Sequence, residues 1–307
     1  MTIDKKFIDQ FSKVTSKAAL AASYLVGKKD KNAADQAAVD AMRSELNKIQ
    51  MTGEIVIGEG KLDEAPMLFT GEILGTKEGP LFDIAVDPVE GTNFVANNLP
   101  GGITVLAVAE KGNLFNAPET YMSKIATGKI DKGVVDLDYP LEKNIKNISE
   151  FNNKEVSSLT VCILDRPRHK QIIDKLKDLK VNIKLIKDGD VLGALYVSDP
   201  KYNVDMFLGT GGGPEGVIAA SALDAYECHF QGRFIFDNEK DVKEAKSMGI
   251  IDLDKKYDLF ELVKGDSLFC ATGITNNNCL NGIKIDNNKY ISETFVTHKE
   301  SNLKKIV

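Results

Sequence analysis

The chain has 307 residues, 43% of them apolar and 27% charged, a balance found in globular proteins with a real core and not in disordered or fibrous chains. Lys and Arg number 39 against 45 Asp and Glu, a formal net charge of −6, and no long Lys/Arg stripe supplies the footprint of a nucleic-acid-binding protein. At roughly 150 residues per domain, the length fits two domains or one large one.

The first fifty residues have helical period, with Phe7, Phe11, Val14, Ala18, Ala22 and Leu25 three or four apart. Gly27-Lys28-Lys29-Asp30 breaks that helix, and Ala38, Met42, Leu46 and Ile49 mark a second. Short β-type runs follow at Glu54–Ile57, Leu81–Val86 and Ile103–Ala109. From Leu159 strands and helices alternate: strands at 159–164, 181–186 and 204–208, helices at 170–179, 191–197 and 217–226. The stretch Ser267–His298 is β-rich with Asn-heavy turns. The fold class expected is α/β, with a boundary near residue 155 separating parts 1–155 and 156–307 of one compact unit.

Several classes drop out. The longest uncharged run, Gly91 to Ala109, contains Asn93, Asn97, Asn98, Pro100, Gly101 and Gly102, which a membrane-spanning helix does not tolerate. Met1 to Phe11 alternates charged and apolar residues and lacks the apolar stretch of a signal peptide. Cys162, Cys228, Cys270 and Cys279 form no C-x-x-C pair, and His169, His229 and His298 are too scattered for a zinc site. A cytoplasmic protein is expected, with neither membrane nor nucleic acid as a partner.

The chemistry lies in the loops. Ile84-Ala85-Val86 delivers Asp87-Pro88-Val89-Glu90-Gly91-Thr92, a Pro/Gly-shaped turn that can aim two carboxylates at one point, as a hard divalent cation requires. Thr92 adds a hydroxyl suited to orienting a water. Taken alone, the segment is equally an ordinary acidic turn. Ile55-Val56-Ile57 ends in Gly58-Glu59-Gly60, where flanking glycines let the backbone approach a ligand while Glu59 projects. Asp63 and Glu64 suit either that loop or a helix N-terminus.

Gly209-Thr-Gly-Gly-Gly-Pro-Glu-Gly216 reads as a glycine-rich loop between strand and helix, an anion cradle for phosphate. It also satisfies G-x-G-x-x-G, with Asp237 about twenty residues on, the pattern of an NAD-dependent oxidoreductase. Glu215 inside the loop would repel a pyrophosphate, which argues against that reading. Asp165-Arg166-Pro167-Arg168-His169-Lys170 is the densest cationic cluster, and its two arginines suit a bidentate phosphate clamp or a solvated helix start. Asp188-Gly189-Asp190 suits sugar hydroxyls or an Asx turn, and Tyr121 offers a hydroxyl. Carboxylate loops that need cations, beside Gly and Arg loops that suit phosphate, describe metal-dependent phosphoryl chemistry on a small molecule.

These blocks, in this order, resemble the class II fructose-1,6-bisphosphatases. The resemblance rests on Val56-Ile-Gly-Glu-Gly60 with Asp63-Glu-Ala-Pro-Met67, Asp83-Ile-Ala-Val-Asp-Pro-Val-Glu-Gly-Thr92 and Asn116-Ala-Pro118 with Tyr121-Met122. Arg166-Pro-Arg-His169, Asp188-Gly-Asp190 and Gly211-Gly-Gly-Pro-Glu-Gly216 complete it. It implies a layered α-β-α-β-α sandwich and hydrolysis of the 1-phosphate of fructose 1,6-bisphosphate, in gluconeogenesis and glycerol metabolism. It implies Mn²⁺ or Mg²⁺ held by Asp35, Glu59, Asp87, Glu90 and Glu215, with Asp63, Thr92 and Lys31 at the reacting centre. Substrate contacts fall to Glu90, Gly91, Thr92, Tyr121, Arg166, Pro167, Arg168, Asp188, Gly189, Asp190 and Gly212. A homo-oligomer is expected. Family members carry a basic residue after the Gly-Thr, where this chain reads Asn93-Phe-Val-Ala-Asn-Asn-Leu-Pro-Gly-Gly102; the departure bears on substrate preference more than on the chemistry. The rival readings are a related phosphatase, acting on sedoheptulose 1,7-bisphosphate or inositol monophosphate, a non-catalytic sugar-phosphate sensor, and the oxidoreductase.

Overall fold

The computed structural model describes residues 3–59, 67–287 and 289–306. In chain order it opens with helices α1 (Lys6–Ser23) and α2 (Lys31–Leu46), then strands β1 (Thr52–Ile57), β2 (Ile73–Leu74) and β3 (Leu81–Glu90). A short helix α3 (Thr92–Ala96) leads to β4 (Ile103–Glu110) and β5 (Tyr121–Thr127). Then come α4 (Leu141–Asn152), β6 (Thr160–Leu164), α5 (Lys170–Asp178), β7 (Asn182–Ile186), α6 (Asp190–Leu195) and β8 (Met206–Gly212). Helix α7 (Gly213–Asp224), β9 (His229–Ile235), α8 (Glu239–Ser247), β10 (Lys256–Asp258) and α9 (Leu259–Leu262) precede the last strands. These are β11 (Ser267–Gly273), β12 (Lys284–Asp286), β13 (Lys289–Ile291), β14 (Thr294–His298) and β15 (Leu303–Ile306).

Two units result, residues 1–117 with 262–307 and residues 118–261, the second inserted into the first. The boundary read near residue 155 falls within the inserted unit, between α4 and β6. The pattern does change there, because β–α alternation begins. Yet β5, which precedes that point, pairs along its whole length with β8 and β9, which follow it. Contacts therefore cross a position where the sequence shows a change of rhythm. Both units are α/β, as expected.

In the first unit the described residues form a seven-stranded sheet of order β15-β14-β11-β4-β3-β1-β2. Only the β1–β3 pair in it is parallel. Helix α1 lies on this sheet because its apolar stripe is continuous: Phe7, Phe11, Val14, Ala18 and Ala22 are all buried. Phe7 meets Phe82 edge-on, with ring centroids 5.1 Å apart. Asp30 ends the break between the helices by accepting the Ala33 N–H at 2.9 Å, an N-cap for α2. Asp266 ties the ends of this unit together. It accepts the Ile3 N–H at 2.7 Å and the Glu300 N–H at 2.9 Å, and pairs with His298 at 2.9 Å.

In the second unit the sheet order is β10-β9-β5-β8-β6-β7, six strands among the described residues. The β6–β7 and β6–β8 pairs are parallel and the rest antiparallel. Helix α7 is apolar on every side and buried on nearly every residue, the expected state for a helix without a polar face. Two expectations shift here. The run 209–212, read as loop, is the end of β8, paired with Tyr121–Lys124 of β5. The run 213–216 is already the first turn of α7, with Pro214 where the missing N–H costs nothing.

Candidate active site

The acidic residues of the first unit are placed by irregular strand ends. In a regular strand, residues three apart face opposite ways. Asp87 and Glu90 escape this because β3 bulges: Asp87 stands opposite Val105 and Glu90 opposite Ile103, positions two apart that share a face. The bulge brings the two carboxylates to one side, as the motif requires. Asp87 Oδ1 accepts the Val89 N–H at 3.1 Å, and Thr104 donates its hydroxyl to Pro88 O at 2.8 Å, so the turn is pinned from within and from β4. Gly91 follows with φ +81°, and a Cβ there would lie 2.9 Å from the Phe94 ring. This position therefore needs glycine. Thr92, partly exposed, opens α3 directly after it.

Glu59 leaves β1 through Gly58, and its N–H donates to Leu68 O at 2.8 Å. The far side of this loop is fixed by Arg43, whose Nε and Nη2 grip the Glu72 carboxylate at 2.7 and 3.1 Å. Asp63 lies outside the described residues. Asp35, on α2, reaches the Glu59 carboxyl through a side-chain hydrogen bond. Burial pushes the Asp35 carboxyl above the usual carboxylate range, against that hydrogen bond, which pulls it down. Its Oδ1 is buried and accepts no hydrogen bond. Lys31 is exposed at the first position of α2, four residues before Asp35 and so on the same helix face.

Two touching carboxyl groups persist only with a proton or a cation between their oxygens. An oxygen-only donor pair with a spare buried lone-pair site is the environment a hard divalent cation takes. The residues present therefore fit such an ion. Among the described residues, no three acidic, His or Cys side chains gather at one point; Asp35 and Glu59 are brought together, and Asp87 and Glu90 share a strand face.

The raised Asp35 pKa carries a stability prediction. A carboxyl whose folded pKa lies above its unfolded value stabilises the fold fully below the unfolded pKa, and that contribution is lost as pH rises through the folded pKa. In EDTA, Asp35→Asn is therefore expected to raise the midpoint of thermal unfolding at pH 7.5 by about 2–4 °C, with the gain vanishing near pH 4. Mn²⁺ is expected to raise the midpoint of the wild type and not of the variant. A variant midpoint equal to or below wild type at pH 7.5 would contradict the assignment.

The second unit carries the basic and sugar-type residues. Arg168 donates Nε and Nη2 to Thr210 O at 3.0 and 2.7 Å, and its guanidinium lies 4.8 Å from the centre of the exposed Tyr121 ring. Arg166 donates to Lys187 O and, at 3.3 Å, to Asp188 Oδ1. The bidentate phosphate clamp is thus not preformed: both guanidiniums are anchored on backbone carbonyls, and one on a carboxylate. They remain partly or fully exposed cations at the ends of β6 and β8. Pro167 opens the short turn between them. If Arg166 supplies a phosphate contact, Arg166→Ala is expected to raise KM for a phosphorylated substrate about 10- to 100-fold, with kcat changed far less, in steady-state phosphate release.

His169 is structural. Its Nε2 accepts the Thr210 N–H at 2.8 Å, which places the proton on Nδ1, 2.7 Å from Leu164 O. Burial lowers its pKa, so the ring is a neutral strut between β6 and β8 and not an acid–base group. Burial also pushes the Cys162 and Cys270 thiols up to about 12, which removes both as thiolate nucleophiles.

The glycine-rich run also houses a side chain of its own. At the start of α7, Glu215 folds its carboxyl group back to its own backbone N–H. Gly212 makes room: a Cβ there would lie 1.8 Å from Glu215 Oε2. Burial raises the Glu215 pKa and the Lys124 ammonium opposes that rise. Gly189, with φ +86°, turns the chain between Asp188 and Asp190. Lys124 is the residue that sequence reasoning missed: it is fully buried and paired with Asp190.

The family described as bacterial fructose-1,6-bisphosphatase, glpX-encoded, matches residues 5–307. The chain is 41% identical over 330 aligned positions to the D-fructose 1,6-bisphosphatase class 2/sedoheptulose 1,7-bisphosphatase of Synechococcus sp. strain JA-2-3B'a(2-13), covering 99% of this chain and 95% of that protein. It is 43% identical over 305 positions to the fructose-1,6-bisphosphatase class 2 of Haemophilus influenzae, covering 95% and 92%. Among solved structures, the inositol monophosphatase from Anabaena (Nostoc) sp. PCC 7120 aligns at 13% identity with a TM-score of 0.36, over 63% of this chain and 71% of that one. The oxidoreductase reading finds no support in these matches, and neither His nor Cys chemistry is needed to explain the acidic pair. With the family pattern running from residue 5 to the last residue, the chain belongs to the bacterial, glpX-encoded fructose-1,6-bisphosphatases and is a phosphatase.

Proposed function

We propose that this chain hydrolyses the 1-phosphate of fructose 1,6-bisphosphate, releasing fructose 6-phosphate and inorganic phosphate, with Mn²⁺ or Mg²⁺ as the cation. The observation that carries the metal dependence is the Asp35–Glu59 contact with its buried, unbonded Asp35 Oδ1. Held there by Asp35 and Glu59, a divalent cation would supply Lewis acidity toward water and the leaving oxygen.

The remaining roles fall to side chains. Asp35 and Glu59 would present oxygens to the cation, and Asp87 and Glu90, in phase across the β3 bulge, would present two more. Glu215 is the further ligand in this reading. Thr92, fixed behind the left-handed Gly91, accepts a hydrogen bond from the attacking water and orients it. Lys31 and Asp63 are assigned to the same centre by the family motif. Arg166, Arg168 and Tyr121 hold the phosphate of the substrate, and Asp188 and Asp190 its hydroxyls.

Relatives carrying the double name support sedoheptulose 1,7-bisphosphate as a second substrate. The test is phosphate release from fructose 1,6-bisphosphate, sedoheptulose 1,7-bisphosphate and inositol monophosphate, each with Mn²⁺, Mg²⁺ or EDTA. Cation-dependent release from the first is expected. Release from inositol monophosphate alone would move the assignment to the related phosphatases. Nicotinamide binding in a direct titration would revive the oxidoreductase.

A further inference from the structure

Lys124 sits in the middle of β5 and is 1% exposed. The residues opposite it on the two neighbouring strands are Gly209 and Gly232, so no cross-strand side chain competes for its space. Gly216 of α7 is a third glycine against it: a Cβ there would lie 3.2 Å from Lys124 Cε. A buried ammonium is costly unless it is paired. Lys124 Nζ pairs with Asp190 Oδ2, and Glu215 stands close enough to feel its charge.

Asp190 is itself 9% exposed, and its two oxygens differ. Oδ2 is held by Lys124, and the absent side chain of Gly211 keeps that oxygen clear, since a Cβ there would lie 2.1 Å from it. Oδ1 is buried and accepts no hydrogen bond. A buried carboxylate oxygen left unsatisfied is destabilising, yet Lys124, Gly209, Gly211 and Gly232 together hold the arrangement that leaves it so. A lone core ion pair would be expected to satisfy both oxygens.

We propose that Lys124 is a positioning residue for the sugar half of the substrate: its grip on Asp190 Oδ2 aims Oδ1 to accept a sugar hydroxyl. The proposal rests on the sugar-bisphosphate reading given above. Lys124 touches no substrate atom in this scheme and acts through Asp190. The substrate feature it selects is therefore the hydroxyl-bearing carbon skeleton, not the phosphate.

The test uses Lys124→Met, Asp190→Asn and the double variant, with KM and kcat for fructose 1,6-bisphosphate and the competitive Ki of inorganic phosphate, which has no sugar hydroxyls. Lys124→Met is expected to raise KM about tenfold or more while the phosphate Ki stays within about twofold. Because both changes disable one contact, the double variant is expected to match Asp190→Asn in KM within about twofold. An unchanged KM in Lys124→Met, or an equal weakening of phosphate, would overturn the proposal. Should Lys124→Met fail to fold with its buried carboxylate unpaired, the double variant decides: a KM equal to that of Asp190→Asn supports the proposal, and a further multiplied loss overturns it. Absence of phosphate release by the wild type would defeat the functional reading and this proposal together. Wild-type turnover with unaffected variants would defeat this proposal alone.

Discussion

Glu59→Ala, assayed at saturating Mn²⁺, is expected to slow phosphate release from fructose 1,6-bisphosphate by about 10²–10³-fold. Removing Glu59 takes away one of the two carboxyls in direct contact and leaves Asp35 alone beside the gap. The cation then loses a charged oxygen ligand, and the water it would acidify loses its fixed position. Because the defect is in holding the ion, the Mn²⁺ concentration for half-maximal rate is expected to rise as well. Glu90→Ala is expected to behave alike, since the β3 bulge exists to bring Glu90 into phase with Asp87. Near wild-type turnover at limiting Mn²⁺ in either variant would remove these residues from the cation site.

Gly58→Ala is expected to lower both stability and activity. An added methyl would stand 2.0 Å from the backbone oxygen of Leu68 and 2.7 Å from Ile55 Cγ2. The first neighbour is main chain and cannot rotate aside. Relief requires the 67–68 segment to move, which breaks the 2.8 Å bond from the Glu59 N–H to Leu68 O. Overpacking and the lost hydrogen bond together correspond to about 2–4 kcal/mol, or a fall in the unfolding midpoint of roughly 5–10 °C. The same movement carries Glu59 away from Asp35, so cation-dependent phosphate release falls with it. A variant melting within about one degree of wild type and fully active would show that this glycine is not a packing requirement.

Much of this was legible from side-chain pattern. The two N-terminal helices follow from apolar spacing, and the break between them from Gly27 and the capping Asp30. The Asp87–Thr92 motif announced paired carboxylates. What made it work, the bulge, did not show, because a register shift is a property of two strands and not of one. The Gly209–Gly216 run, read as a loop, is a strand end and a helix start for a related reason. Glycines there serve close approach within a sheet and around Glu215, and glycine-rich sequence reads the same whether the occupant is a ligand or a side chain. The Asp35–Glu59 contact joins a helix to a strand end, and only the family motif pointed to it.

Lys124 was invisible for a simpler reason. A lysine between Ser123 and Ile125 reads as a solvated strand position, and the glycines that make room for it lie on strands distant in sequence. The insertion of one unit within the other was hidden in the same way, since β11 returns to pair with β4 only after residue 267. Local pattern thus named the candidate residues, while long-range register decided which side chains meet.

The most direct measurement is release of inorganic phosphate from fructose 1,6-bisphosphate by the purified chain after EDTA treatment, with and without added Mn²⁺ or Mg²⁺. Release is expected to be near background without cation and restored by one or both ions, with fructose 6-phosphate as the sugar product. Equal release in EDTA, or none with either cation, would contradict the account.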